Sequence, residues 1–295
     1  MHELKLSLVI PAYNEEKNLP TVLNSLQTAF RPEHIPYEII VVNDNSRDGT
    51  AAVIAAFQAD DPAIRTVNRV PPGGFGRAIR SGLELVRGDV VIVYMADCSD
   101  HPADAVAYYR KIEEGYDCVF GSRFLKGSQV TAYPRVKLVI NRIVNKAIQW
   151  LFCCPFNDLT NAFKAYRTRV IRECGPYRAS HFNINIEMSL GAVVRNYHIA
   201  QVPISWTGRT WGSSNLRIKE MGRRYLSTLI KIMAERFLIR DDLLSERLAV
   251  HVCEDARLGL HEKQLLALDR RLEAVERRLS AGSGNFVKPE HGVAA

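Results

Sequence analysis

Over roughly the first 124 residues, short apolar runs alternate with stretches whose apolar positions recur every three or four residues. Residues 6–10, 38–42, 65–67, 90–95 and 118–120 read as strands. Between them, 19–30, 50–59, 76–86 and 103–114 read as crossover helices, with Asn or Asp near several of their starts. Strand and helix in strict alternation predict an α/β fold: a mostly parallel, doubly wound (Rossmann-like) sheet flanked by helices. The run Val90-Val91-Ile92-Val93-Tyr94-Met95 is apolar throughout, as expected of a central strand. In such a sheet, ligands collect beyond the carboxyl ends of the strands, so the residues following each strand are the first to search for chemistry.

Two later segments have another texture. Residues of about 135–152 place Lys137, Asn141, Arg142, Asn145, Lys146 and Gln149 at helical spacing among Leu138, Val139, Ile143, Ile148, Trp150, Leu151 and Phe152. Residues 223–240 repeat the pattern, with Tyr225, Leu226, Leu229, Ile230, Ile232, Met233, Phe237 and Leu238 set among arginines and Lys231. Basic amphipathic helices of this kind either lie in a membrane interface or pack on a sheet. Beyond Asp241, Leu265, Leu268, Leu272, Val275 and Leu279 alternate spacings of three and four among charged residues, a short heptad seam suited to homo-oligomerisation or to folding back. The expected organisation is therefore a catalytic-type domain over 1–240, a helical or coiled-coil extension over 241–281 and a flexible Gly/Ser-containing tail over 282–295.

Charge and cysteine content narrow the picture. A net charge of +7 calls for an anionic partner: a nucleotide phosphate, an anionic membrane or nucleic acid. The basic residues lie among aliphatic helix faces and no base-reading motif is present, so nucleic acid is not the expected partner. The six cysteines form no CxxC pair, as expected of reduced thiols in a cytoplasmic compartment. The first residues enter a strand directly, without a secretory-type apolar stretch, and no run reaches the ~20 apolar residues that cross a bilayer. A cytoplasmic protein, peripheral at the membrane, is expected.

Candidate chemistry sits at the expected strand ends. After the first strand come Pro11-Ala12-Tyr13-Asn14-Glu15, a ring able to stack on a nucleobase and a carboxylate able to accept its hydrogen bonds. After the second comes Asp44, placed for the same base or its ribose, with Asp48 and Thr50 reading as turn and cap residues. Gly73-Gly74-Phe75-Gly76 opens a helix, where backbone amides can approach a phosphate; it lacks the third glycine of the dinucleotide fingerprint and the lysine of a phosphate loop. After the fourth strand, Ala96-Asp97-Cys98-Ser99-Asp100-His101-Pro102 offers two carboxylates, a hard oxygen site for Mg2+ or Mn2+ bridging a diphosphate. The other reading makes Asp100 a helix cap and leaves Asp97 in solvent.

Taken in order, Pro11-Ala12-Tyr13-Asn14-Glu15, Asp44-Asn45-Ser46-Arg47-Asp48-Gly49-Thr50, Gly121-Ser122-Arg123-Phe124, Asp158-Leu159-Thr160-Asn161-Ala162-Phe163-Lys164 and Val202-Pro203-Ile204 resemble the inverting glycosyltransferases of family 2, which have a GT-A fold. Within that family the chain is similar to dolichol-phosphate mannosyltransferases and bacterial polyprenyl-phosphate glycosyltransferases over about residues 6–237. The resemblance implies that Pro11, Tyr13, Glu15 and Asp44 hold the nucleoside of a GDP- or UDP-hexose, with Gly76 toward its phosphates. It implies that Asp97 and Asp100 serve the metal and diphosphate, that Arg123 meets phosphate, and that Arg209 contacts phosphate near the acceptor. Asp158 falls in the acceptor-side motif, as a positioning group or, for a hydroxyl acceptor, a base. Two departures are visible: the family's Asp-Ala-Asp-Leu-Gln-His-Pro is altered at residues 96–102, and Asn215 replaces the lysine that often follows Gly-x-Ser. The expected activity is hexose transfer, mannose or glucose, to a polyprenyl phosphate. Transfer to a hydroxyl acceptor and a non-catalytic nucleotide-sugar scaffold are the other readings.

Overall fold

The computed structural model describes residues 4–208 and 222–239. Its core is a seven-stranded sheet in the order β3-β2-β1-β4-β7-β5-β8. The strands are β1 (Leu6–Ala12), β2 (Tyr37–Asn43), β3 (Ile64–Asn68), β4 (Val90–Val93), β5 (Cys118–Ser122), β7 (Lys164–Arg167) and β8 (Ile199–Pro203). A separate two-stranded ladder joins β6 (Gln129–Thr131) to β9 (Ser205–Thr207). The flanking helices are α1 (Leu19–Phe30), α2 (Thr50–Asp60), α3 (Phe75–Leu83), α4 (Pro102–Glu113), α5 (Arg135–Phe152), α6 (Thr168–Glu173) and α7 (Ile184–Val194), and residues 222–239 are helical.

The middle of the sheet is built from β-branched runs. β1, β2 and β4 are almost wholly buried, so both faces of each strand contribute to the core, at ~1.5–3 kcal/mol per large aliphatic side chain. β4 occupies the central position, as its unbroken apolar run predicts. α1 packs through Leu19, Val22, Leu23, Leu26 and Phe30, the three-and-four spacing read from the sequence. The one charged side chain deep in the amino-terminal half of the sheet, Glu38, is satisfied by Ser7 Oγ at 2.6 Å, Arg87 N at 2.7 Å and Arg65 Nη1 at 2.8 Å. Burial pushes the Glu38 carboxyl up, but those donors outweigh it and hold the group below the usual carboxylate range.

Every strand of the main sheet runs parallel to its neighbours except β7, which pairs antiparallel with both β4 and β5. The carboxyl ends of β1, β2, β4 and β5 therefore share one edge. Gly121, in β5, lies so close to α4 that a Cβ would overlap the buried Tyr108 hydroxyl, which itself donates to Phe163 O at 3.2 Å.

The helix α5 is turned differently from a simple polar-out reading. Asn145, Ile148 and Phe152 are buried, with Asn145 donating to Thr160 Oγ1 at 2.9 Å and Asn141 donating to the Tyr133 hydroxyl. Val136, Val139, Ile143 and Trp150 instead face solvent, Trp150 at 81% exposure. On the helix over 222–239, Leu226, Ile230 and Phe237 are likewise exposed. Among the described residues, no helix is long and apolar enough to cross a membrane. By contacts the chain divides into units Met1–Phe237 and Leu238–Ala295. The heptad seam and the tail expected in the second unit lie outside the described residues, as do Arg209 and Asn215.

Replacing Gly121 with alanine should cost ~1–3 kcal/mol through overpacking. Gly191, inside α7, has its nearest obstacle at 3.4 Å, so alanine there should be neutral or stabilising. Urea midpoints of the two variants, measured side by side, check this contrast.

Candidate active site

The loops that follow β1 and β2 are laced together. Asn14 N donates to Ser46 Oγ at 3.0 Å, Arg47 N to Asn14 Oδ1 at 2.8 Å, Glu15 N to Thr50 Oγ1 at 2.9 Å and Gly49 N to Glu16 Oε2 at 3.0 Å. Asp48 accepts from both the amide and the hydroxyl of Thr50 where α2 begins, the turn role read from its sequence position. Asn14, Asn45 and Cys98, one beyond each of the adjacent strands β1, β2 and β4, hold left-handed backbone (φ 56°, 62° and 60°). Asparagine tolerates that region, whereas cysteine is rarely found there, so the Cys98 turn is over-determined by its surroundings.

Pro11, Tyr13, Glu15 and Asp44, expected to hold a nucleoside, lie at or just beyond the ends of the adjacent strands β1 and β2. Pro11 lies within β1, Tyr13 stands half-exposed beyond it, and Glu15 is buried, accepting from Asn18 Nδ2 at 2.6 Å. Asp44 is buried, and its carboxylate accepts from Gly74 N at 2.6 Å, from Asn45 Nδ2 at 3.1 Å and from Arg69 Nη1. Arg69 is anchored in turn by Ser81 Oγ at 3.1 Å from its Nε. Arg69 was not singled out in the sequence; the signal is a lone base one residue past the third strand, level with the acid past the second.

The glycine-rich segment packs closely against residues 179–181. The Gly76 amide donates to Ser180 O at 3.1 Å, and a Cβ on Gly76 would meet Ala179 O at 2.6 Å and His181 O at 2.7 Å. Gly74 N is committed to Asp44. The glycine at 76 is required by the close packing of α3 against residues 179–181, and its amide is engaged by a protein acceptor.

Beyond β4, Asp97 and Asp100 are both buried. The cap of α4 is His101, whose Nδ1 accepts from Ala103 N at 3.3 Å, so Asp100 is not the cap. Asp100 accepts instead from Met95 N at 3.1 Å, and Asp97 from Ser99 N at 3.2 Å. Burial, and next the neighbouring Asp97 charge, push the Asp100 carboxyl up to about 8. Cys98, between them, contacts Asn18 O at 3.7 Å, and burial together with Asp97 and Glu15 raises its thiol, keeping it protonated. The carboxylate pair and the nucleoside-side acid Glu15 therefore border one region.

Beyond β5, Arg123 and Asp158 form a buried bidentate pair. Nε donates to Oδ2 at 2.8 Å and Nη2 to Oδ1 at 2.7 Å, while the Arg123 amide reaches Oδ2 at 3.0 Å. Burial alone would lower the guanidinium's pKa, but Asp158 more than offsets it and the pKa rises. Tyr133 ties this pair to α5: its hydroxyl accepts from Arg123 Nη1 at 3.3 Å and from Asn141. Arg142 of α5 lies over the Phe124 ring at 5.3 Å, and Arg123 over the same ring at 5.5 Å.

A mostly parallel sheet with acidic strand ends, interrupted by one antiparallel strand, is the architecture of a GT-A glycosyltransferase. The glycosyl transferase family 2 model matches residues 7–175, more than half of the chain, which therefore belongs to glycosyltransferase family 2. The chain is 29% identical over 215 residues to a polyprenol monophosphomannose synthase of Mycolicibacterium smegmatis, covering 71% of this chain and 80% of that protein. It is 32% identical over 216 residues to an undecaprenyl-phosphate 4-deoxy-4-formamido-L-arabinose transferase of Shewanella sediminis, again over 71% of this chain but spanning only 61% of that longer relative. Among solved structures, glucosyl-3-phosphoglycerate synthase from Mycobacterium tuberculosis, crystallised with uridine diphosphate, aligns with a TM-score of 0.58 over 78% of this chain and 80% of that one, at 21% identity. Crystals of that same enzyme also hold Mn2+ or Mg2+. Glycosyl transfer is the activity of this chain.

Because the folded Asp100 carboxyl titrates near 8 rather than 3.8, the fold loses stability at this group as pH rises from about 4 to about 8. Asp100→Asn keeps an oxygen for Met95 N and removes the charge. In chelator-treated protein its melting temperature should match wild type near pH 4 and exceed it at pH 9.

Proposed function

We propose that this glycosyltransferase moves a hexose, mannose or glucose, from a GDP- or UDP-sugar to a polyprenyl phosphate at the cytoplasmic face of a membrane. The observation that carries the reading is the coupling of the Arg123/Asp158 pair, through Tyr133 and Asn141, to a helix whose outer face is apolar and basic. An acceptor that is half phosphate and half hydrocarbon needs those two features side by side. The relatives named for polyprenol and undecaprenyl-phosphate chemistry support it.

The residues present fit a divalent cation. Asp97 and Asp100 are hard oxygen donors, both buried; burial, and next the Asp97 charge, disfavour ionisation of Asp100, and a bound cation would favour it. Among the described residues no group of three or more His, Cys, Asp or Glu is placed to hold a metal; Asp97 and Asp100 would be the protein's ligands to a cation that also meets the diphosphate. That is the usual way Mg2+ is held beside a nucleotide. Bound there, the cation stabilises charge on the departing nucleoside diphosphate.

In the transfer, an oxygen of the lipid phosphate attacks the anomeric carbon as the bond from that carbon to the diphosphate oxygen breaks, and the nucleoside diphosphate leaves with the electron pair. Tyr13, Glu15 and Asp44 hold the nucleoside, Asp44 being pre-set by Arg69 and Gly74 N. A phosphate is already anionic at neutral pH, so the step is served by alignment and electrostatics more than by proton removal. Both oxygens of Asp158 are engaged by Arg123, which favours a positioning role and disfavours the hydroxyl-acceptor reading, in which Asp158 would have to take a proton.

Purified protein given Mg2+ or Mn2+, a short polyprenyl phosphate and a panel of labelled GDP- and UDP-sugars should send label into organic solvent. Asp97→Ala and Arg123→Met should each lower transfer by ~100-fold or more. Nucleotide binding without any lipid product would transfer the reading to a hydroxyl acceptor.

A further inference from the structure

Lys164 is the one lysine among the described residues that is fully buried, at 1% exposure, and no step above uses it. It opens β7, paired with Val93 of β4 on one side and Phe120 of β5 on the other. Its ammonium donates to Leu159 O at 3.0 Å and to Asn161 O, and sits 5.4 Å from the centre of the Phe120 ring. Leu159 and Asn161 flank Thr160 in the turn that begins with Asp158. The same turn is held from elsewhere by Asn161 Nδ2 on Gly121 O at 3.1 Å and by Thr160 N on Asn145 Oδ1 at 3.2 Å, so it joins β5, α5 and β7.

A methionine would fill this space without the cost of burying a charge, so packing does not account for a lysine here. What the ammonium adds is two donors aimed at carbonyls on either side of Thr160, and a positive charge behind the Arg123/Asp158 pair. Arg123 and Asp158 pair with each other, and Lys164 is the further cationic group that faces both.

We propose that Lys164 is a positioning residue for glycosyl transfer: by clamping the 158–161 turn it fixes the Arg123/Asp158 pair, and its charge biases that side of the site toward an anionic acceptor. The proposal rests on the acceptor-side reading of that pair. Burial lowers the ammonium's pKa to about 7, with Asp158 opposing the fall and Arg123 adding to it, so the charge depends on both facing groups.

The test compares Lys164→Met, Lys164→Gln and Lys164→Arg with wild type, using the full chain. The expected pattern is a fall in kcat of about tenfold or more for Lys164→Met, with donor KM and UDP or GDP affinity within about twofold of wild type, and recovery of most of the loss in Lys164→Arg. Hydrogen exchange over residues 157–164, which needs no acceptor, should quicken in Lys164→Met. If that variant does not fold, Lys164→Gln, which keeps two N–H donors but no charge, separates the two roles: exchange over 157–164 should stay near wild type while kcat falls, and an unchanged kcat would overturn the charge role. Unchanged kcat and exchange, a parallel fall in nucleotide affinity and melting temperature, or a Lys164→Arg no better than Lys164→Met would each overturn the proposal. Should wild type give no lipid product at all, the acceptor reading fails, while the exchange measurement still decides whether Lys164 clamps the turn.

Discussion

One strand running against the rest sets the dimensions of the site. β7 enters antiparallel between β4 and β5, so the two strand ends that carry chemistry are separated by an intervening strand, roughly 10 Å at ordinary strand spacing. Asp97 and Asp100 stand beyond one, Arg123 beyond the other. Had β5 followed β4 directly, the acids and the arginine would pair with each other and leave no room for a sugar. Arg123 instead finds its carboxylate in Asp158, supplied by the turn that leads into β7 itself. The same strand therefore separates the two halves, and the turn leading into it supplies the carboxylate that pairs with Arg123.

The ends of β1, β2 and β4 follow a different logic. There, adjacent parallel strands bring Glu15, Asp44 and the residue 96–100 loop together, and the loops secure one another by side-chain to amide bonds rather than by burial of apolar groups. Such loops hold shape only while the strands beneath them are rigid, which the fully buried β1, β2 and β4 provide. The acid at position 44 is held by a base and a backbone amide from beyond β3, so its orientation at the end of β2 depends on residues that follow the neighbouring strand.

Much of this was legible from residue order. α1 spans the expected 19–30, β4 is central, and the acids lie at the strand ends where a parallel sheet gathers ligands. β7 was not legible, because Lys164-Ala165-Tyr166-Arg167 has charged ends and no apolar run; its neighbours make it a strand. β4 stops at Val93, two residues early, because Val93 is the last residue paired with β1 and the chain then turns so that the Tyr94 hydroxyl meets Asp100 O. The packing at Gly76 was not legible for a related reason: the backbone that approaches it belongs to residues 179–181, far along the chain. The asparagines of α5 misled by polarity, since Asn141 and Asn145 face inward to partners that periodicity does not show.

That inversion of α5 has a cost in plain water. A helix that spends its amides on the protein and turns Val136, Val139, Ile143 and Trp150 outward leaves oily surface wherever no hydrocarbon is at hand, and Leu226, Ile230 and Phe237 add more. Two molecules meeting by these faces bury them without any designed interface. Concentration-dependent clumping in detergent-free buffer is then a property of the native fold, and a poor guide to whether the protein is misfolded.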